Sequence, residues 1–174
     1  MICPSCDYEN IEGTDECENC MQPLTDVEHA AGSSPIERSL LESTLASLHP
    51  NAPIFVAPDT TVAAAVETMA SRDIGCVIVG SLEDVVGIFS ERDLLMRLAD
   101  RYAEVSGQPV TEFMTPNPET LDVASPIAYA LNRMSTGDFR HLPVTSAGQL
   151  VGIISLRDVL GFLSEWYPDL IPAP

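Results

Sequence analysis

The sequence predicts an α/β (α+β) protein made of two copies of one β-α-β-β-α unit, preceded by a small metal-binding knot. Three observations predict it. A ten-residue stretch recurs at a fixed offset, apolar runs of strand and helix character follow in the same order around each copy, and four of the five cysteines fall into two Cys-x-x-Cys pairs near the N-terminus. A length of 174 residues suits one compact module with a small satellite.

Composition narrows the class. Aromatic residues make up only 6% of the chain, so the core has to be aliphatic. The longest apolar runs, Cys76 to Val79 and Val85 to Phe89, are too short to span a bilayer. The start, Met1-Ile2-Cys3-Pro4, has neither a basic nor an apolar leader region, which predicts a cytoplasmic protein without a membrane partner. The formal net charge is −18, and all eight basic residues are Arg. Such a surface repels phosphate backbones, which argues against nucleic acid as a partner, and it keeps the chain soluble.

The first element, residues 1–24, reads Cys3-Pro4-Ser5-Cys6, ten residues, then Cys17-Glu18-Asn19-Cys20. Two residues between thiols let one turn present both sulfurs to a single ion, and two such turns supply the tetrahedron that zinc prefers. Gly13 suits the turn between them. So short a segment cannot build a hydrophobic core, so the metal must supply its folding free energy. The pattern resembles the zinc-ribbon family, with Cys3, Cys6, Cys17 and Cys20 matching its ligands. Asp7 and Met21 stand where that family usually has Gly. An iron site and a thiol redox motif are the alternatives. Residues 1–28 carry eight acidic side chains and no Lys or Arg, so the ribbon is expected to stabilise or to dock protein.

Residues 25–34 read as a linker, and residues 35–49 as a leading helix. Ser34-Pro35-Ile36-Glu37 combines an N-cap, Pro at the first helical position and a capping box. Ile36, Leu40, Leu41, Thr44, Leu45 and Leu48 then form one apolar stripe.

The repeat follows. Val86-Gly87-Ile88-Phe89-Ser90-Glu91-Arg92-Asp93-Leu94-Leu95 recurs as Val151-Gly152-Ile153-Ile154-Ser155-Leu156-Arg157-Asp158-Val159-Leu160, an offset of 65 (152 minus 87). The first copy, with its connector, covers residues 50–112 and the second 113–174. Each should run from an extended segment (54–56; 119–121) into a helix (60–71; 125–136). Two strands follow (76–80 and 85–89; 141–145 and 150–154), then a second helix from Glu91 or Leu156. Neither copy can cover both faces of its sheet alone, so the two should pack sheet on sheet as a pseudo-twofold pair.

The repeated Gly-x-x-Ser-x-Arg-Asp lies where a strand enters a helix. Helix-start amides suit a phosphate or sugar hydroxyl, and Gly87 and Gly152 leave room for a ligand at the backbone. Asp93 and Asp158 can accept from a vicinal diol, Ser90 and Ser155 offer hydroxyls, and Arg92 and Arg157 can pair with phosphate. The same Ser-x-x-Asp spacing also fits a plain helix cap that needs no ligand.

The doubled unit resembles a tandem cystathionine-β-synthase (CBS) pair, or Bateman module, over residues 50 to about 166. The motif in both copies carries the resemblance, with Arg140-His141-Leu142-Pro143-Val144 and Phe113-Met114-Thr115-Pro116. It implies adenosyl-ligand binding in two clefts between the repeats, such as AMP, ADP, ATP or S-adenosylmethionine. Ser90 and Asp93 would serve one cleft and Ser155 and Asp158 the other. Arg140 and His141 would face phosphates where the first copy has Gly75 and Cys76. It further implies a homodimer that signals to a protein partner. No nucleophile–base pair, catalytic metal spacing or phosphate-binding Gly-rich loop appears, so no catalytic residue is assigned. The competing function is a ligand-independent dimerisation and docking scaffold. Cys76 should be core, and Trp166 and Tyr167 either cap the core or meet a second copy.

Overall fold

The computed structural model describes Cys3, residues 8–11, Thr14, and residues 16–22 and 34–168. The expected ligand Cys6, the turn at Gly13 and most of the linker lie outside the described residues. The chain divides into two compact units.

One unit comprises Pro50–Asp122 and His141–Ile154, and it holds both sheets. The first repeat runs β1 (Phe55–Val56), α2 (Val62–Arg72), β2 (Cys76–Gly80) and β3 (Val85–Ser90). β1 and β2 pair in parallel, with Phe55 opposite Ile78, and a parallel pair requires the crossover that α2 provides. The Thr61 hydroxyl starts α2 by accepting from the Ala64 N–H at 3.2 Å. Val62, Ala65 and Met69 then turn inward at helical spacing. They join Val77, Val79, Phe89, Leu98, Val105 and Phe113 in the core of this repeat. After β3 the chain makes one α-helical turn, α3 (Glu91–Asp93), continues through a π-helical stretch at Leu94–Leu98 and a 3-10 turn at Ala99–Arg101, and enters α4 (Tyr102–Val105).

The second sheet contains β5 (Leu121–Asp122), β6 (His141–Ser146) and β7 (Gln149–Ser155) in that order. β5 pairs in parallel with β6, and only Ala147 and Gly148 separate β6 from β7, a link short enough only for an antiparallel hairpin. Ile78 and Ile88 of the first sheet pack with Leu150 and Ile153 of the second. The expected sheet-on-sheet pairing is therefore present.

One strand lies beyond the expected pattern. Thr115–Pro116, just ahead of the second copy, forms β4 and adds to the first copy's sheet, with Gly87 opposite Pro116 and Ile88 opposite Thr115. The segment ahead of the first copy does the reverse: Asn51 and Ile153 exchange two backbone hydrogen bonds at 2.9 Å. This reciprocal exchange explains the motif glycines. A Cβ on Gly87 would lie 2.4 Å from Met114 Sδ and 2.8 Å from the Thr115 carbonyl oxygen, and one on Gly152 would lie 2.4 Å from Pro50 Cβ. The space that Gly87 and Gly152 were expected to leave for a ligand is filled by the chain itself.

The other unit comprises Met1–His49, Val123–Arg140 and Ser155–Pro174. It contains α1 (Pro35–Glu42), α5 (Ile127–Thr136) and α6 (Leu156–Trp166). The capping box at Ser34 forms as expected, with Glu37 N–H donating to Ser34 Oγ and Ser34 N–H to the Glu37 carboxylate, both at 3.1 Å. The leading helix stops at Glu42 rather than near His49, because the chain turns extended at Ser43 so that Thr44 can bridge Pro126 and Leu45 N–H can donate to Ser125. Leu45 and Leu48 are buried on a short 3-10 turn. α1 packs on α5. The Tyr167 hydroxyl donates to the Pro35 carbonyl at 2.9 Å, tying the end of α6 to the start of α1, while Trp166 stays exposed.

Because Pro50 is rigid, Gly152→Ala should destabilise the fold by about 1–3 kcal/mol through overpacking. A lowered urea midpoint at unchanged slope is the expected result.

Candidate nucleotide and metal sites

In both copies the Ser-x-x-Asp motif closes on itself. The Asp93 Oδ2 accepts from the Ser90 N–H at 3.0 Å and from the Ser90 hydroxyl at 2.7 Å, and the Asp93 N–H donates to Ser90 Oγ at 3.4 Å. The Asp158 Oδ2 accepts from the Ser155 N–H at 2.6 Å and from the Ser155 hydroxyl at 2.7 Å. The capping reading of this spacing thus accounts for the local geometry. The preceding bonds repeat as well, at the same offset of 65: Glu91 N–H donates to the Gly75 carbonyl at 2.9 Å, and Leu156 N–H to the Arg140 carbonyl at 3.1 Å. These first helical amides were expected to serve a phosphate, but they already hold partners inside the fold.

The copies differ one turn further on. Arg97 reaches back to Asp93 Oδ1 at 3.2 Å and to the Phe113 carbonyl at 3.0 Å. At the matching position of the second copy stands Phe162, which is buried. Asp93, only 8% exposed, is therefore held by Ser90 and by a cation, and sequence reasoning missed Arg97 because its partner is fixed by helix geometry rather than by the motif.

His141 comes to the first copy's motif. A Cβ on Gly75 would fall 2.5 Å from His141 Nε2 and 3.3 Å from the Glu91 carboxylate, so the imidazole lies against the Gly75 backbone at the start of α3. Arg140 and Arg157 are exposed and Arg92 is half-buried. Cys76, next to Gly75, is 5% exposed, as expected of a core residue. Burial, with the Glu91 carboxylate adding to it, pushes its thiol from 9.0 up to about 12.

In the N-terminal segment, the ligand atoms of Cys3, Cys17 and Cys20 all lie within 4.8 Å of one another. Cys3 and Cys20 sulfurs are 3.7 Å apart. A disulfide would bring them to about 2.05 Å. Four thiolates at about 2.3 Å from a tetrahedral zinc lie roughly 3.8 Å from one another, so the described donors fit that ion. The two turns close alike: Cys3 N–H donates to Tyr8 and Cys17 N–H to Gln22, at 2.9 and 2.8 Å. Met21, where a ribbon usually has Gly, takes a positive φ of 59°, the conformation in which Gly is the unstrained choice. Asn10, only 4% exposed and not singled out by the sequence, joins the two turns. Its amide donates to the Tyr8 carbonyl at 3.0 Å and to Cys17 Sγ at 3.5 Å, and its Oδ1 accepts from the Glu18 N–H at 2.9 Å.

Two duplicated units sharing packed sheets, with a capped Ser-x-x-Asp at each strand-to-helix junction, define a tandem repeat module. The chain belongs to the CBS domain family, whose model matches residues 47–100 and 110–165. An uncharacterized 17.7 kDa protein of Acidianus ambivalens is 35% identical over 106 residues, covering 60% of this chain and 63% of that protein. The chain thus spans less than two thirds of that relative's length. The crystal structure of a CBS-domain containing protein from Agrobacterium tumefaciens superposes with a TM-score of 0.62 at 34% identity, over 68% of this chain and 94% of that one. A CBS domain protein from Pyrobaculum aerophilum complexed with AMP gives 0.61 at 25% identity, over 75% of this chain and all (100%) of that one. CBS domain proteins are generally regulatory modules rather than enzymes. Among the described residues, no helix is long and apolar enough to cross a membrane.

The unfolded Cys76 thiol ionises above pH 9.0 while the folded one stays protonated to about 12. Its contribution to stability is complete below the lower value and is lost as pH rises between the two. Urea melts from pH 8 to 11 should show this loss in the wild type and a smaller one in Cys76→Ala.

Proposed function

We propose that this chain is a non-catalytic, cytoplasmic sensor: it binds an adenine nucleotide or related adenosyl ligand, forms a homodimer and signals to a partner protein. The observation that carries the reading is the duplicated Ser–Asp pair at equivalent strand-to-helix junctions, in a family with a 25%-identical member complexed with AMP. Ser90 with Asp93 and Ser155 with Asp158 hold the ribose. Arg92, Arg157 and Arg140 supply positive charge toward phosphates, and His141 faces them beside Arg140.

The donors already on Asp93 limit what a ligand can find there. An ionised carboxylate offers about four acceptor positions, and a vicinal diol needs two of them. Ser90 and Arg97 occupy three on Asp93, so a ribose there must displace one donor. Phe162, which is buried, stands at the position equivalent to Arg97 in the second copy. Calorimetry with AMP, ADP, ATP and S-adenosylmethionine tests this. Asp93→Ala and Asp158→Ala should each weaken binding by about tenfold, the equivalent of one charge-assisted hydrogen bond of roughly 1.5 kcal/mol. Urea melts run in parallel separate this from lost capping, which costs about 0.5–2 kcal/mol. No heat with any of the four ligands would leave the docking scaffold as the better account.

Residues 1–24 form a structural zinc ribbon in this reading, with Cys3, Cys6, Cys17 and Cys20 as ligands. Zinc would supply the tetrahedral cross-link that so small a segment needs in order to fold. Asn10 positions Cys17 and ties the two turns together. Elemental analysis should find one zinc per chain, and Asn10→Ala should release it to a chelator about 10–100 times faster. Iron, or no metal, in the purified protein would refute the zinc assignment.

A further inference from the structure

The ribbon's second turn is fastened to the second repeat. Gln22 accepts the Cys17 N–H with its backbone carbonyl at 2.8 Å, and Met21 N–H donates to the Cys17 carbonyl at 2.8 Å. The Gln22 side chain leaves this turn and accepts from Asn132 Nδ2 on α5 at 2.8 Å, across 110 residues of sequence. Asn132 Oδ1 is shielded from solvent and has no hydrogen-bond partner among the described residues. Both ends of this contact lie in the same compact unit.

We propose that the ribbon and helix α5 form a metal-dependent latch, in which zinc holds the Cys17–Gln22 turn and the turn holds Asn132. Two physical facts make the contact sensitive to the metal. The turn belongs to a segment without a hydrophobic core, so its geometry goes when the ion goes. The docked state also keeps one amide oxygen dry and unpaired, whereas undocking returns that oxygen to water. The attachment therefore persists only while the turn is rigid. α5 ends at Thr136 and leads through a short link to Arg140 and His141, so its mobility bears on residues assigned to phosphate. The latch rests on the zinc reading, and its test measures metal separately.

Hydrogen–deuterium exchange on the full chain, with zinc content determined in the same samples, decides the matter. Removing zinc with a chelator should speed exchange of residues 127–136 by roughly three- to tenfold, the factor expected for one lost hydrogen bond. Peptides from β2 and β3 should not change. Asn132→Ala should keep one zinc per chain while its α5 exchange no longer responds to chelation, and Gln22→Ala should do the same from the ribbon side. Unchanged α5 exchange in a wild type that demonstrably gained and lost zinc overturns the latch alone. A chain that neither holds nor takes up zinc overturns the zinc reading and the latch together.

Discussion

An apolar sheet face must be covered, and in this chain each repeat's sheet is covered by the other's. Ile78 and Ile88 meet Leu150 and Ile153, and the other face of the first sheet packs on α2 and the helical segment that follows β3. The remaining features follow from this dependence. The two lead-in segments cross over, Thr115–Pro116 to β3 and Asn51 to β7, so each copy contributes backbone to its neighbour. Neither Gly87 nor Gly152 can then carry a side chain. The motif glycines serve this crossing first, whatever else the motif does.

The same economy governs the Ser-x-x-Asp box. Asp93 and Asp158 terminate their strands and start their helices by accepting from Ser90 and Ser155, which is a complete reason for their presence. A ligand that engaged these residues would compete for the same lone pairs, since its donor would have to displace or share with one that holds the helix start. In the first copy Arg97 adds a further donor to Asp93.

Much of this was legible in the sequence. The pattern placed β2, β3, β6, β7, α2 and α5 to within two residues, because short apolar runs and helical spacing are local properties. The paired bonds Glu91–Gly75 and Leu156–Arg140 obey the offset of 65 although the sequence did not point to them, since duplicated folds duplicate their junctions. The Ser34 box was readable because both its partners lie within three residues of each other. What escaped is long-range. β4 consists of two residues whose partner lies almost thirty positions upstream, and a Thr-Pro step carries no strand signal. The break in the leading helix at Ser43 is imposed by Pro126 and Ser125, more than eighty residues away. Asn10 earns its place only once both cysteine turns are closed, so no spacing rule points to it.

The meeting of His141 with Gly75 has a consequence for the history of the molecule. Gly75 corresponds to Arg140 at the offset of 65, so a bare backbone in one half receives an imidazole from the other. Giving the first half its counterpart's arginine would put a long side chain where the ring now lies. The two halves, though copies in plan, are therefore no longer interchangeable: each has specialised as lock or key at this point, and neither could be swapped for its twin without rebuilding the joint.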